Sequence, residues 1–232
     1  MVLKNGQNLK IIFWNTRSFQ QRREEIELLL KDIDTFICVE SNLSPQTSVH
    51  VSGFLTYRQD RITTTGGGIL FLIKKSLAFH TIKNVISPDA SVEICGIKIT
   101  KTSPPLDIIA CYRSPCLTLS QSFWDTIVQN VNSNNCCLLL GDFNAHNTNW
   151  NCRNTDANGT INNQNMIIHN ENTTTYIDIH RDISSNIDLI ASTNKFAEKI
   201  NVTALDETLG SNHYPLYVEI SAKKNFYKKK NL

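Results

Sequence analysis

No run in this 232-residue chain reaches the roughly 18 consecutive apolar residues of a membrane span. The opening residues, MVLKNGQNLK, lack the apolar core of a secretory signal. A membrane protein or an exported one is therefore not expected. The seven cysteines are odd in number and form no CxxC pair, and Cys136 and Cys137 are adjacent inside an apolar run. Buried, reduced thiols of an intracellular protein fit that pattern better than a disulfide framework. Four Asn-X-Ser/Thr sequons, at Asn42, Asn158, Asn172 and Asn201, read as coincidences of an Asn-rich chain. No His/Cys cluster has zinc spacing, and no serine sits in a nucleophile elbow. Gly66–Gly68 is not followed by the Gly-Lys-Ser/Thr of a phosphate loop and reads as a close turn or hairpin before ILFLIKK. A surplus of positive charge is missing too. The formal net charge is +2, but Lys223, Lys224, Lys228, Lys229 and Lys230 lie in the last ten residues; taking these five from the 23 basic residues leaves 18 against 21 acidic, a net of −3. Any nucleic-acid partner must be held by local patches rather than bulk charge.

What is present is enough apolar residue (41%) for one well-packed domain. We expect it over residues 1–222, with residues 223–232 as a solvated basic tail. Short apolar runs predict strands at Leu9–Trp14, Thr35–Val39, the ILFLIKK segment, Ser91–Thr100, Leu106–Tyr112, Cys136–Leu140, Thr175–Ile179, Ile187–Ala191 and Leu216–Ile220. Arg22–Ile33 carries Ile26, Leu29, Leu30 and Ile33 at helical spacing, with Glu24 and Glu25 favourably placed near its start. A second helix is predicted after the N-cap Ser120, presenting Phe123, Ile127 and Val131. The polar Asn144–Asn172 segment reads as a long functional or mobile loop. Many strands and few helices in mixed order predict an α/β fold: a four-layer α/β sandwich in which two packed mixed β-sheets are flanked by helices.

The chain is organised around Cys136–Trp150, CCLLLGDFNAHNTNW. Its apolar start suits a strand buried on both faces, Gly141 a turn, and the Asp142/Asn144 spacing a shared face on extended backbone. A carboxylate that can orient water would then sit beside an amide that can hydrogen-bond an oxyanion; a polar turn capping a core strand is the alternative. Polar residues recur where other strands end: Asn15, Glu40, Tyr112, Asp188 and the trio Ser211-Asn212-His213. Their chemistry converges. Glu40 could hold a hard cation such as Mg²⁺ by oxygen, with waters completing the shell. Asp142 could deprotonate water, Asn15, Asn144, Tyr112 and His213 could donate to phosphate oxygens, and Asp188 could orient His213.

The segments FWNTRS, FICVESNL, IIACYRSP, LLLGDFNAHNTNW, SSNIDLIAS and SNHYPLYVEI, in that order, resemble the motifs of the exonuclease–endonuclease–phosphatase superfamily. More closely, they are similar to the apurinic-type endonuclease domains of non-LTR (LINE-type) retrotransposons, with YRSP and GDFNAHNTNW like those of arthropod Jockey and R1 elements. The resemblance runs from about Leu9 to Ile220. It implies hydrolysis of DNA phosphodiesters with Mg²⁺, for which Mn²⁺ could substitute. It also implies nicking of chromosomal double-stranded DNA in the nucleus, to prime a reverse transcriptase carried on the same polyprotein. Glu40 is implied as metal ligand, Asp142 as activator of water, and Asn144 as its positioner. Asn15 and Tyr112 support phosphate and metal, and Asp188 pairs with His213 at the scissile phosphate. Thr175, Arg17, Arg113 and Ser211 are implied as DNA contacts.

Two positions depart from the pattern. Arg17 stands where related repair enzymes have an acid, and Asn212 makes Ser-Asn-His of the usual Ser-Asp-His. The second removes a negative charge beside His213, so Asn212→Asp is expected to raise activity. A host abasic-site repair nuclease of the same fold and a catalytically weakened DNA-binding relic are the alternatives.

Overall fold

The computed structural model describes residues 8–61, 66–83, 85, 87, 91–115, 118, 125, 136–159, 166–221 and 223–224. Along the chain these form β1 (Leu9–Asn15), α1 (Arg23–Leu29), β2 (Thr35–Val39), β3 (Phe54–Gln59), β4 (Ile69–Lys74), β5 (Phe79–Thr81), β6 (Val92–Ile99), β7 (Thr102–Ser103) and β8 (Leu106–Arg113). There follow β9 (Cys136–Asp142), β10 (Met166–Ile168), β11 (Tyr176–Asp178), β12 (Ile183–Ser185), β13 (Asp188–Thr193), β14 (Ile200–Ala204), β15 (Leu216–Ile220) and β16 (Lys223–Lys224). Two six-stranded sheets result, in the orders β14-β15-β1-β2-β4-β3 and β10-β13-β9-β8-β6-β5. Each is mixed: β1 with β2 and β8 with β9 are parallel, and the other neighbours are antiparallel. This is the expected α/β sandwich.

The continuous apolar runs follow from strands wetted on neither face. In β1, Leu9, Ile11 and Phe13 point into the core between the sheets, against Ile97, Ile108, Leu138 and Leu140. The alternate residues Ile12 and Trp14 point outward, beneath Phe19, Ile26 and Leu30. On the far side of the second sheet, Ile109, Cys111, Leu139 and Leu189 pack with Phe143, Ala145 and Trp150 from the loop after β9. The six described cysteines are buried and free, and burial pushes the Cys38, Cys95 and Cys137 thiols up to about 12, so they are inert. Among the described residues no helix is long and apolar enough to cross a membrane.

Several elements differ from expectation. The Arg22–Ile33 helix is α-helical only over Arg23–Leu29, with 3-10 turns at Gln20–Arg22 and Leu30–Asp32; Ile26, Leu30 and Ile33 are buried as expected. The tighter end turn lets the chain enter β2 within three residues. Thr175–Ile179 joins neither large sheet: β11 pairs with β12 as a two-stranded ribbon, bridged to His213 at Tyr176, and Ile179 is 82% exposed. The edge strands β3 and β14 escaped the reading because their half-polar faces lack a continuous apolar run. Lys223 and Lys224 pair with Ser103 and Thr102. The helix predicted after Ser120 and most of the remaining tail lie outside the described residues.

Gly141 does not turn the chain. It lies inside β9, where a Cβ would stand 3.0 Å from Cys111 Cβ and closer still to the Cys111 carbonyl oxygen. The glycine therefore permits close approach of β8 and β9. Gly141→Ala is expected to destabilise the fold by about 1–3 kcal/mol through overpacking, read as a lower urea midpoint; an unchanged midpoint would show that the strands can part there.

Candidate active site

Strand register builds the site. Glu93, Tyr112, Asp142 and Asp188 are successive partners across β6, β8, β9 and β13, so four polar residues form one row at one end of the second sheet. The first sheet brings Asn15, the last residue of β1, opposite that row, and Glu40, one past β2, beside it. Asn15 joins the sheets: its Nδ2 donates to Asp142 Oδ2 (2.8 Å) and to Glu40 Oε1 (3.1 Å). The Tyr112 hydroxyl also hydrogen-bonds Glu40; burial first, then the Glu40 charge, keep that hydroxyl protonated. Asp142 Oδ1 accepts from the Asn144 N–H at 3.0 Å. Asn144 is not extended as expected but left-handed (φ +44°), and its Nδ2 donates to the Arg113 carbonyl at 2.8 Å. Arg17, Glu40 and Asn42 are left-handed as well. Each such backbone costs about 1 kcal/mol or more, and such strain gathers at functional sites.

His213 completes the cluster. Its Nδ1 bonds Asp188 Oδ2 at 2.8 Å, and its Nε2 lies 4.0 Å from Asp142 Oδ2. The backbone is fixed by Trp14 Nε1 donating to the His213 carbonyl (2.8 Å), and the ring meets Tyr176 edge-on. Candidate ligand atoms of Asp142, Asp188 and His213 lie within 4.8 Å of one another, a grouping able to hold a metal ion. All three residues are buried. Burial pushes the Asp142 carboxyl up to about 7, and the Asp188 charge adds to the rise. Burial alone would disfavour the His213 imidazolium, but the Asp188 carboxylate and its hydrogen bond outweigh that and hold the ring pKa at about 9.

Asp188 thus raises both neighbours, and Asp188→Asn is expected to move both limbs of a pH–rate profile to lower pH. The alkaline limb should fall from about 9, because burial of His213 is then opposed only by the Asp142 and Glu40 charges. The stabilisation that the raised His213 pKa gives the parent fold is complete below about 6.5 and lost as pH rises through about 9. Single-turnover rates against pH check the shift, and an unmoved alkaline limb would mean that another group sets it.

Asn15, Glu40, Tyr112, Asp142, Asn144, Asp188 and His213 therefore come together. Three expected DNA contacts do not reach the surface. Thr175 is fully buried, and its Oγ1 accepts from the N–H groups of Ile187 (3.1 Å) and Asp188 (3.0 Å), setting the start of β13. Arg113 is buried, its guanidinium clamping the carbonyls of Phe143, Ser114 and Asn144. Ser211 Oγ donates to the Asn15 carbonyl (2.8 Å) and accepts from the His213 N–H (3.2 Å). All three hold site residues in place. Arg17 is exposed and donates to Asn212 Oδ1.

Sequence reasoning missed Glu93 and Arg61. The buried Glu93 carboxylate accepts from the Gly68 N–H (2.7 Å) and pairs with Arg61 Nε (2.5 Å); the Arg61 guanidinium lies 5.6 Å from the Tyr112 ring centroid. Gly67, with positive φ, gives this pair its room: a Cβ there would meet Glu93 Oε1 at 2.5 Å. The signal was a lone acid in the apolar strand SVEICGI, since buried charges are paired.

Two mixed sheets thus present an amide, carboxylates and a histidine at their facing ends. Residues 106–217 match the family model described as endonuclease-reverse transcriptase. The whole fold is similar to the endonuclease domain of TRAS1, a telomere-specific non-LTR retrotransposon, at 16% identity and TM-score 0.74, covering 93% of this chain and 100% of that one. Fold and family match make the chain similar to retrotransposon endonucleases of the exonuclease–endonuclease–phosphatase superfamily. An AP endonuclease from Leishmania major (12% identity, TM-score 0.72, covering 92% and 88%) and a 3'-5' exonuclease from Neisseria meningitidis (16%, 0.71, 91% and 99%) share the fold. Among curated proteins, none matches the sequence significantly.

Proposed function

We propose that this chain is the Mg²⁺-dependent DNA endonuclease of a non-LTR retrotransposon. It nicks chromosomal double-stranded DNA in the nucleus and leaves a 3′-hydroxyl that primes a reverse transcriptase of the same polyprotein. The observation that carries the reading is the Asn15 amide, which bridges Glu40 and Asp142 across the two sheets. It fixes a metal-binding carboxylate beside a buried base. The donor set fits a hard cation: Glu40 is half-buried, offers oxygen and leaves room for waters, and no cysteine competes among these side chains. A divalent cation there would add positive charge at a non-bridging phosphate oxygen.

Asp142 accepts a proton from water, and that water's oxygen bonds to phosphorus. The bond from phosphorus to O3′ breaks, O3′ keeps the bonding pair and takes a proton from solvent, and a 3′-hydroxyl and a 5′-phosphate result. Burial suits Asp142 to this task, because a carboxyl lifted to about 7 is a stronger base than an exposed one. His213, held as imidazolium by Asp188, donates to a phosphate oxygen as charge develops. Asn144 orients water from the turn that Arg113 clamps.

Nicking of supercoiled plasmid in Mg²⁺ against EDTA tests the reading, with the nick's 3′ end then offered to a polymerase. Extension supports it. Intact plasmid left uncut while abasic duplex is cleaved would move the chain to repair.

A further inference from the structure

The two residues that depart from the family pattern touch each other. Arg17 Nη1 donates to Asn212 Oδ1 at 2.9 Å, though they lie 195 positions apart. Neither is loosely placed. The Arg17 backbone is left-handed (φ +51°), its N–H donates to Asn15 Oδ1 (3.1 Å), and its carbonyl accepts from Asn42 Nδ2 (2.9 Å). Asn212 uses its other end as well, Nδ2 donating to the Ile177 carbonyl at 3.0 Å, while its own carbonyl accepts from the Ile177 N–H at 2.9 Å. The amide presents an acceptor to Arg17 and a donor to Ile177, which an ionised carboxylate, an acceptor only, does not do.

Asn212 is also uncharged. Among the described residues, no carboxylate lies within ion-pair distance of Arg17. An exposed guanidinium is thus held by a neutral partner, one residue from the buried His213, with its full charge uncompensated. A carboxylate at position 212 would reverse this. It would pair with Arg17 and cancel the charge, and its second oxygen would face the Ile177 carbonyl, two acceptors together.

We infer that Arg17 and Asn212 form one anion-binding unit on the lip of the active site: Arg17 takes a non-bridging oxygen of a DNA phosphodiester, and Asn212 aims it while leaving its charge free. The inference rests on the endonuclease reading and deepens it. The two departures compensate each other, and Asn212 is no sign of decay. The expectation that Asn212→Asp raises activity is thereby reversed.

The test uses the full chain and three variants, R17Q, R17K and N212D. Glutamine can still donate to Asn212 but carries no charge; lysine keeps the charge. Duplex affinity is measured against salt in Ca²⁺ or EDTA, and single-turnover nicking in Mg²⁺, with circular dichroism confirming each fold. The log–log salt slope should flatten by about 0.9, one phosphate contact, in R17Q and in N212D, and hold in R17K. Nicking should fall about ten-fold in R17Q and below the parent rate in N212D. An unchanged slope in R17Q overturns the phosphate contact, and N212D nicking at or above the parent rate overturns the role of Asn212. If the parent binds duplex without cutting it, the endonuclease reading fails on its own, and the slopes still decide this inference.

Discussion

Asp142→Asn is expected to reduce plasmid nicking by about a thousand-fold, within the range for loss of a general base, while DNA affinity stays near the parent value. Asparagine has nearly the same shape and removes only the basic oxygen. The fold should survive, for two reasons that offset each other. Asn15 Nδ2 or the Asn144 N–H loses an acceptor, a cost of about 1–3 kcal/mol. Against that, a carboxylate buried at 1% exposure and beside Asp188 no longer has to be carried in its charged form. Single-turnover cleavage with equal binding checks the split. A rate within three-fold of the parent would mean that water is activated elsewhere in the site.

Glu40→Gln should have the other large effect, and of a different kind. The amide oxygen can still accept from Asn15 Nδ2 and the Tyr112 hydroxyl, so the side chain stays in place. Only the charge is gone. We expect nicking at the parent's working Mg²⁺ concentration to drop about a hundred-fold or more, the rate equivalent of the several kcal/mol a Lewis-acid cation supplies. The Mg²⁺ titration should move to higher concentration. A variant with the parent's Mg²⁺ dependence would show that the cation sits instead on the Asp142, Asp188 and His213 oxygens and nitrogen.

The central strands were legible because burial on both faces leaves an apolar run with sharp polar ends, as in TFICV before Glu40 and CCLLL before Gly141. The same property made the site legible, since a polar residue ending such a run must face either water or another polar group. The edge strands were not legible: β14 alternates half-buried and exposed residues, a weak signal in a short window. Support residues were misread for a different reason. Thr175, Arg113 and Ser211 carry the right chemistry for phosphate, but sequence does not say which way a hydroxyl or guanidinium points. Here each meets backbone groups that packing would otherwise leave unsatisfied. Arg17 with Asn212, and Glu93 with Arg61, were out of reach as pairs because each joins segments that only the packed fold brings together, 195 and 32 positions apart.

That distance governs how the site comes into being during synthesis. β1 leaves the ribosome early, yet one of its two neighbours is β15, and Asn15 is held through Ser211, 196 positions later. A nascent chain that has not yet exposed residues 211–220 has Glu40 and Asp142 but neither His213 nor the strand that closes the first sheet. Such long-range closure is slow compared with local helix formation. The site is therefore completed last: a chain that ends before residue 211 can form the Glu93–Tyr112–Asp142–Asp188 row but lacks both His213 and the Ser211 that holds Asn15 opposite it.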